Sequence, residues 1–216
     1  MHVGKGNRRL PLLQFITHKT DRFGLVDSAR QALGLGVRWI QFRCKEELPP
    51  ALVRDMALQV RRLCQRHDAL FFIDDRVELA AELEADGVHL GKDDMPLAQA
   101  RKMLGEDVLI GGTANTLQDM MDVAAQGGDY IGLGPFRFTA TKKKLSPVIG
   151  LEGYRRLMRE ARRNGLCLPV FAIGGIRSHD AQALKACGID GIATSSALLD
   201  TEDPGKEAGT FLRYFN

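Results

Sequence analysis

The sequence has few cysteines and no long apolar run. Its 216 residues include four cysteines, Cys44, Cys64, Cys167 and Cys187, which are widely spaced and form no C-x-x-C pair. This spacing excludes a zinc knuckle or a dithiol redox motif, so we expect reduced thiols. No segment approaches the roughly 18 consecutive apolar residues of a membrane span, and no small-residue cleavage site follows the basic start. We therefore expect a cytoplasmic protein that has no membrane partner.

An excess of charge of one sign is also lacking. Thirty Lys and Arg against 27 Asp and Glu leave a formal net charge of +3, which is too small to indicate a surface that binds nucleic acid throughout. Aromatic residues make up only 6% of the chain. Apolar residues make up 44%, enough to bury one sizeable core, so we predict a single domain over residues 1–216.

Short apolar or β-branched runs alternate with longer stretches of helical period. Eight such runs occur, at residues 12–17, 39–43, 70–74, 87–90, 109–113, 130–134, 170–173 and 191–195. Helix candidates between them include residues 50–66, 151–163 and 178–186. Eight strand–helix units in a chain this short predict a single α/β domain of the (β/α)₈ type, a TIM barrel. A doubly wound open sheet is the alternative, because alternation alone does not show that a sheet closes.

The second predicted strand carries polar residues where a buried barrel strand would be apolar. Gln41, Arg43 and Lys45 alternate with apolar neighbours, and a period of two places them on one side of the strand. If the apolar set packs against the helices, an amide, a guanidinium and an ammonium point into the barrel and need an anionic ligand. The alternative is a frayed edge strand with solvated charges.

Two pairs of carboxylates follow the next two predicted strands. Asp74 and Asp75 come at the end of one strand, and Asp93 and Asp94 follow the other. The carboxyl ends of barrel strands meet at the active-site face. Two carboxylates from adjacent loops, facing a cationic wall, suit a Mg²⁺ ion that phosphate oxygens and water complete. For any single aspartate, a helix N-cap is the alternative.

Small residues follow the last two predicted strands, where barrels commonly bind a phosphate monoester. Gly174 and Gly175 come after the seventh strand, and Ser195 and Ser196 come after the eighth. Glycines let backbone N–H groups approach an anion closely. We therefore predict phosphate binding at these two loops.

A long connection leads from the sixth predicted strand to the helix near Gly150. Long loops in compact domains often serve as lids, and Thr139, Thr141 and Lys142 could close over an anionic substrate. The alternative is an exposed, lysine-rich surface loop.

Two other features have ordinary explanations. The arginine-rich stretch within residues 151–163 is interleaved with glutamates, which favours a solvated barrel exterior over an RNA-binding stripe. His89 lies inside a predicted strand, so we expect a hydrogen-bonded core imidazole there rather than a catalytic base.

Taken together, these motifs resemble the thiamine phosphate synthase family over most of the chain. The matches, in chain order, are Q-F-R-C-K from Gln41, D-D-R-V-E-L-A from Asp74, A-D-G-V-H-L-G-K-D-D from Ala85, Y-I-G-L-G-P-F-R-F-T-A-T-K from Tyr130, A-I-G-G-I from Ala172 and S-S-A from Ser195. Single pieces occur in many barrels, but all of them in this order are specific.

The resemblance implies a Mg²⁺-dependent (β/α)₈ transferase that joins hydroxymethylpyrimidine diphosphate to hydroxyethylthiazole phosphate. Its partners would be these small molecules, with a homo-oligomer left open. By motif position, the diphosphate would be bound by Gln41, Arg43, Lys45, Asp74, Thr113 and Lys142. The metal would be held by Asp75 and Asp94. The thiazole phosphate would be bound by Thr139, Thr141, Gly175, Ser195 and Ser196. Catalysis would rest on Arg43, Lys45 and Lys142, which stabilise charge on the leaving diphosphate.

The chain departs from the family pattern at several positions. Cys44 stands where the family usually has an acidic residue, and Asp74 where it usually has Asn. Phe138 replaces the usual Pro, and residues 113–115, Thr-Ala-Asn, replace a common Ser-x-His. An extra carboxylate at position 74 could tighten the metal site or repel diphosphate.

Two alternative functions remain at this point. One is a thiazole tautomerase, a close relative that shares the barrel and the thiazole-phosphate pocket. Retention of Asp75, Asp94 and Lys142 argues against it, as does Asn115 where that enzyme would need a proton-transferring His. The other is a barrel that binds a phosphorylated ligand without turnover.

Overall fold

The computed structural model describes residues 10–138 and 147–215, which form eight β-strands and nine α-helices. The strands are β1 (Leu13–Ile16), β2 (Trp39–Phe42), β3 (Leu70–Asp74), β4 (Gly87–Leu90), β5 (Leu109–Ala114), β6 (Tyr130–Leu133), β7 (Val170–Ile173) and β8 (Gly191–Thr194). The helices are α1 (Leu25–Gly34), α2 (Pro50–Arg66), α3 (Val77–Glu82), α4 (Leu97–Leu104), α5 (Leu117–Ala125), α6 (Gly150–Arg163), α7 (Ala181–Ala186), α8 (Ser196–Leu199) and α9 (Pro204–Tyr214). None of the helices within these ranges is long and apolar enough to cross a membrane.

The eight strands form a closed parallel barrel in sequence order. The barrel closes where β1 pairs with β8, since Phe15 lies opposite Ile40 of β2 on one side and Thr194 of β8 on the other. The predicted (β/α)₈ barrel is confirmed, and the open sheet is excluded because this sheet has no edge strand. Each strand begins and ends within one residue of its predicted bounds.

One predicted helix is divided. The prediction of a continuous helix over residues 178–186 is wrong at its start, where Ser178–Asp180 form a 3₁₀ turn before α7. The Asp180 carboxylate accepts a hydrogen bond from the Arg177 N–H at 2.8 Å. Such a bond from a side chain to a nearby backbone group favours a tight turn over a regular first helical turn.

Aromatic side chains fill the amino-terminal half of the barrel interior, and we call this cluster the aromatic plug. Its rings belong to Trp39, Phe72, Tyr130 and Phe171. They meet edge to face, with centroids 5.0–6.0 Å apart. Glycines leave the space that the rings need, since a Cβ at Gly87, Gly111 or Gly191 would lie 2.1–2.3 Å from a ring atom.

An aspartate lies directly before each of the strands β4, β6 and β8. Its carboxylate connects that strand to the preceding strand of the barrel. The carboxylate of Asp86 accepts a hydrogen bond from a backbone N–H of β3 at 2.9 Å, and those of Asp129 and Asp190 do the same for β5 and β7 at 2.8 Å. Arg101 of α4 pairs with Asp129, and Arg162 of α6 pairs with Asp190. The same contact therefore recurs at β4, β6 and β8.

All four cysteines are unpaired, and three of them are buried. Arg155, Arg156 and Arg159 lie on the exposed face of α6, as predicted for a solvated barrel exterior.

Candidate active site

The carboxyl ends of β2 and β3 bring the predicted charged residues together. Gln41 is buried in the barrel interior, where its amide is hydrogen-bonded to the Tyr130 hydroxyl of the aromatic plug. Arg43 and Lys45 follow at the same spacing of two and reach Asp74, the last residue of β3. β2 lies between β1 and β3, so the alternative of a frayed edge strand is wrong.

Arg43 and Lys45 both contact the Asp74 carboxylate. Arg43 Nε lies 3.1 Å from Asp74 Oδ2, and Lys45 Nζ lies 3.4 Å from the same oxygen. Lys45 also donates to Oδ2 of Asp75. The exposed fraction of the side chain rises from 9% for Asp74 to 19% for Arg43 and 51% for Lys45, so the cluster extends from the interior to the open mouth.

Asp75 and Asp94, from the loops after β3 and β4, are hydrogen-bonded to each other. Asp75 has a φ of +63°, a left-handed conformation that aspartate adopts more readily than most residues, and its N–H donates to the His89 carbonyl at 2.9 Å. Asp94 Oδ2 accepts the Gly91 N–H at 2.6 Å. Neither aspartate is a helix N-cap, since the caps of α3 and α4 lie further along the chain.

Burial and neighbouring charges shift the pKa values of these carboxyl groups in different directions. Burial and the charge of Asp75 raise the pKa of Asp74 to about 6, against the opposing effect of Lys45 and Arg43. Burial also acts to raise the pKa of Asp75, but hydrogen bonds with Asp94 and Lys45 outweigh it, and the net pKa is lowered. Burial and the hydrogen bond to Asp75 raise the pKa of Asp94. The pKa values of the two carboxyl groups therefore move apart, and on acidification Asp94 takes up a proton before Asp75 does.

A hydrogen-bonded chain crosses the interior below this cluster. His89 Nε2 lies 2.9 Å from the Thr113 hydroxyl, and His89 Nδ1 lies 3.0 Å from the Tyr130 hydroxyl. His89 is buried, so the predicted core imidazole is confirmed. The Gln41 amide also bonds to the Tyr130 hydroxyl, whereas Gln14 Nε2 has no hydrogen-bond partner among the described residues. The sequence-based predictions did not include Gln14 or Tyr130. The feature that could have identified them is a polar group at an inward-facing position of a strand.

Asp119 of α5 holds the loop after β5 against the loop after β4. Its carboxylate accepts the N–H groups of Asn115 and Thr116 at 2.9 Å and pairs with Lys92 at 2.7 Å. Sequence reasoning did not single out Lys92 or Asp119, and the pairing joins two loops that local spacing does not relate.

The residues predicted to bind phosphate follow two adjacent strands, β7 and β8. The register of β7 against β8 pairs Ile173 with Ala193, and Gly175 and Ser195 each follow two residues after this pair. Gly175 has a φ of +72°, a conformation that favours glycine. The Ser195 hydroxyl donates to the Ile16 carbonyl at 2.9 Å, whereas Ser196 is exposed.

Three predicted residues, Thr139, Thr141 and Lys142, lie outside the described residues. Their roles and the proposed lid stay predictions. Over residues 10–138 and 147–215, no group of three or more His, Cys, Asp or Glu is arranged to hold a metal ion. The candidate metal ligands in this part of the chain are the pair Asp75 and Asp94.

Comparison with known proteins identifies relatives over almost the whole chain. A family model described as thiamine monophosphate synthase matches residues 13–198. The chain is 52% identical over 200 residues to the thiamine-phosphate synthase of Bacteroides fragilis, which covers 93% of this chain and 98% of that protein. The same identity and length relate it to the thiamine-phosphate synthase of Bacteroides thetaiotaomicron, over 93% and 95% of the two chains. A solved thiamine phosphate pyrophosphorylase from Pyrococcus furiosus matches with a TM-score of 0.79 and 35% identity over 94% of each chain.

The matched residues run from β1 into α8 and include every strand end described above. The prediction of a transferase of thiamine biosynthesis is confirmed by these relatives. The chain belongs to the thiamine monophosphate synthase family.

Proposed function

We propose that this chain joins hydroxymethylpyrimidine diphosphate to hydroxyethylthiazole phosphate and releases thiamine phosphate and diphosphate. The observation that carries the proposal is the contact of Arg43 and Lys45 with Asp74 and Asp75 at the barrel mouth. Partly buried cations need anionic partners, and a diphosphate is a multiply charged one. In the reaction that the family resemblance implies, a diphosphate is the leaving group.

The diphosphate end of the substrate would lie against Arg43 and Lys45. The arginine offers a planar fork of donors, and the lysine offers a compact charge on a flexible stem. Gln41 and Thr113 would support the diphosphate from deeper in the barrel, and Lys142 would approach it from the loop after β6. Because Asp74 contacts both cations in the free chain, the diphosphate would compete with this carboxylate.

Asp75 and Asp94 fit a Mg²⁺ ion by the chemistry of their donors. Mg²⁺ prefers one or two carboxylates together with water and phosphate oxygens, and these two carboxylates come from adjacent loops and already contact each other. When bound, the ion would neutralise charge on the diphosphate.

The thiazole phosphate would lie at the ends of β7 and β8. Since the Ser195 hydroxyl already donates to the Ile16 carbonyl, we expect its donors there to be the Ser196 hydroxyl and backbone N–H groups near Gly175. Thr139 and Thr141 would add hydroxyl groups from the loop after β6.

The chemistry we propose is a dissociative substitution. The bond between the pyrimidine methylene carbon and the diphosphate oxygen breaks first, and the thiazole nitrogen then uses its lone pair to form the new carbon–nitrogen bond. Arg43, Lys45 and Lys142 would stabilise the charge on the departing oxygen, where the loss of one donor costs roughly 10²–10³ in rate. The attacking nitrogen carries no proton, so no general base is needed.

The test is incubation of the purified chain with both substrates and Mg²⁺, with thiamine phosphate measured by fluorescence after oxidation. We expect product that depends on both substrates and on Mg²⁺. Thermal stabilisation by thiazole phosphate without product would favour a binding barrel or a tautomerase, and would contradict the proposal.

A matched pair of variants tests the metal assignment. We expect Asp94→Asn to abolish Mg²⁺-dependent turnover, because the amide is a poor metal ligand although it can still accept the Gly91 N–H. Asp93→Asn is the control, since Asp93 is the exposed neighbour and the same charge is removed. Equal activity of the two variants would remove Asp94 from the metal site.

A cytoplasmic location and the oligomeric state stay predictions from the sequence. Size-exclusion chromatography with light scattering measures the oligomeric state directly.

A further inference from the structure

Arg137 and Asp180 form a paired contact between the loops after β6 and β7. The two guanidinium nitrogens Nη1 and Nη2 lie 2.5 and 2.8 Å from Asp180 Oδ2 and Oδ1, an arrangement of two parallel hydrogen bonds. The Asp180 side chain is 8% exposed, so its charge is largely removed from water. The Arg137 side chain is 39% exposed, so the two parallel hydrogen bonds to a buried carboxylate are what hold its guanidinium in a fixed geometry.

Arg137 also holds the glycine turn that follows β7. Its Nη1 donates to the Gly175 carbonyl at 2.8 Å, and its backbone N–H donates to the Gly174 carbonyl at 3.1 Å. A Cβ at Gly175 would lie 2.6 Å from Arg137 Cγ, so the arginine stem packs directly on the turn. Arg137 therefore connects the turn to Asp180.

These contacts determine where the turn directs its N–H groups. In a trans peptide the carbonyl and the following N–H point in opposite directions. Because Arg137 holds the carbonyls of Gly174 and Gly175, the N–H groups of Gly175 and Ile176 must point away from it. Within residues 10–138 and 147–215, neither N–H donates to a backbone carbonyl. Successive N–H groups in such a turn form a concavity that suits an anion.

We propose that Arg137, held by Asp180, is a positioning residue that aims the N–H groups of Gly175 and Ile176 at the phosphate of the thiazole substrate. The inference rests on the proposed function, in which that phosphate lies at the ends of β7 and β8. Arg137 acts through the turn and does not itself bind the phosphate.

The test compares the two Michaelis constants of Arg137→Met with those of the wild type. We expect KM for thiazole phosphate to rise about tenfold, because the two N–H groups lose their orientation. We expect KM for the pyrimidine diphosphate to change by less than about twofold, because Arg43 and Lys45 bind it from the end of β2 and only Lys142 shares a loop with Arg137. The milder variants Arg137→Lys and Asp180→Asn keep part of the contact. They should give values of KM for thiazole phosphate between those of the wild type and Arg137→Met.

Arg155→Met is the matched control. Arg155 is an exposed arginine of α6 that pairs with Glu152, and its loss should change neither constant. A purely structural role of Arg137 would lower the melting temperature and impair both substrates alike. That result, or an unchanged KM for thiazole phosphate, would overturn the proposal.

Calorimetric titration with thiazole phosphate alone separates this inference from the proposed function. If the wild type makes no thiamine phosphate but binds thiazole phosphate about tenfold more tightly than Arg137→Met, the positioning role stands and the proposed reaction fails. If the wild type does not bind thiazole phosphate, both fail.

Discussion

Asp74 stands where the sequence resemblance leads us to expect an asparagine, and its contacts in the structure show what the carboxylate does there. Its carboxylate lies within 3.4 Å of both Arg43 and Lys45, the two cations that we assign to the diphosphate. It therefore neutralises the charge that should attract the substrate. An asparagine at this position would leave these cations available while still offering an acceptor oxygen.

We expect Asp74→Asn to lower KM for the pyrimidine diphosphate by about three- to tenfold, the equivalent of one modest ion pair. Steady-state kinetics at saturating thiazole phosphate measure it. Asp75→Asn is the comparison, since Asp75 shares Lys45 with Asp74, and it should instead lose Mg²⁺-dependent turnover. A higher KM in Asp74→Asn would place the carboxylate among the groups that help to bind the diphosphate or its metal.

At the scale of elements, the aspartates before β4, β6 and β8 connect helices and strands that are adjacent in the barrel. Asp129 accepts the Ile110 N–H at the start of β5 and pairs with Arg101 of α4. Both side chains of this ion pair are 11% exposed. Arg101 also donates to the Gly105 carbonyl at 2.9 Å, so it ties the end of α4 to β5.

We expect Asp129→Ala to lower the free energy of unfolding by about 2–4 kcal/mol, because it leaves a largely buried guanidinium and a strand N–H without their acceptor. Urea denaturation measures the change. Asp122→Ala is the control on α5, where the exposed carboxylate contacts only the Gln118 side chain among the described residues, and it should change stability by less than about 0.5 kcal/mol. Equal changes in the free energy of unfolding in the two variants would mean that the contact between the aspartate and the preceding strand contributes little to stability.

At the scale of the whole molecule, the barrel closes around large rings because glycines face them. Phe171 lies so close to Gly191 that a Cβ there would be 2.2 Å from the ring and 2.5 Å from the Leu12 carbonyl. The aromatic plug thus fills the amino-terminal half of the interior and leaves the polar cluster to the other half. The rings that pack the interior therefore lie towards one end of the barrel axis, and the charged residues of the candidate site lie at the other end.

We expect Gly191→Ala to destabilise the fold by about 2–3 kcal/mol through overpacking. Gly209→Ala should instead stabilise it by about 0.5–1 kcal/mol, because Gly209 lies inside α9 with no atom within 4 Å of its Cβ position and alanine favours helix. Thermal unfolding of both variants distinguishes these opposite signs. Destabilisation of similar size in both would contradict the packing argument.

The sequence alone determined the fold class and one wall of the candidate site. Alternating runs located the eight strands, and a period of two predicted that Gln41 of β2 faces the same way as Arg43 and Lys45 beyond the end of that strand. The order of the motifs indicated the family. These properties are local or follow chain order, so they can be read without knowing which strands meet.

Only the tertiary structure decided which groups are partners. The contact of Arg43 with Asp74 and the pairing of Arg137 with Asp180, 43 residues away, have no signal in local spacing. They depend on the stagger of strands in a closed barrel and on how each loop leaves its strand. That geometry arises when all eight strands pack around one interior, because the rings and glycines that fit together there come from different parts of the chain.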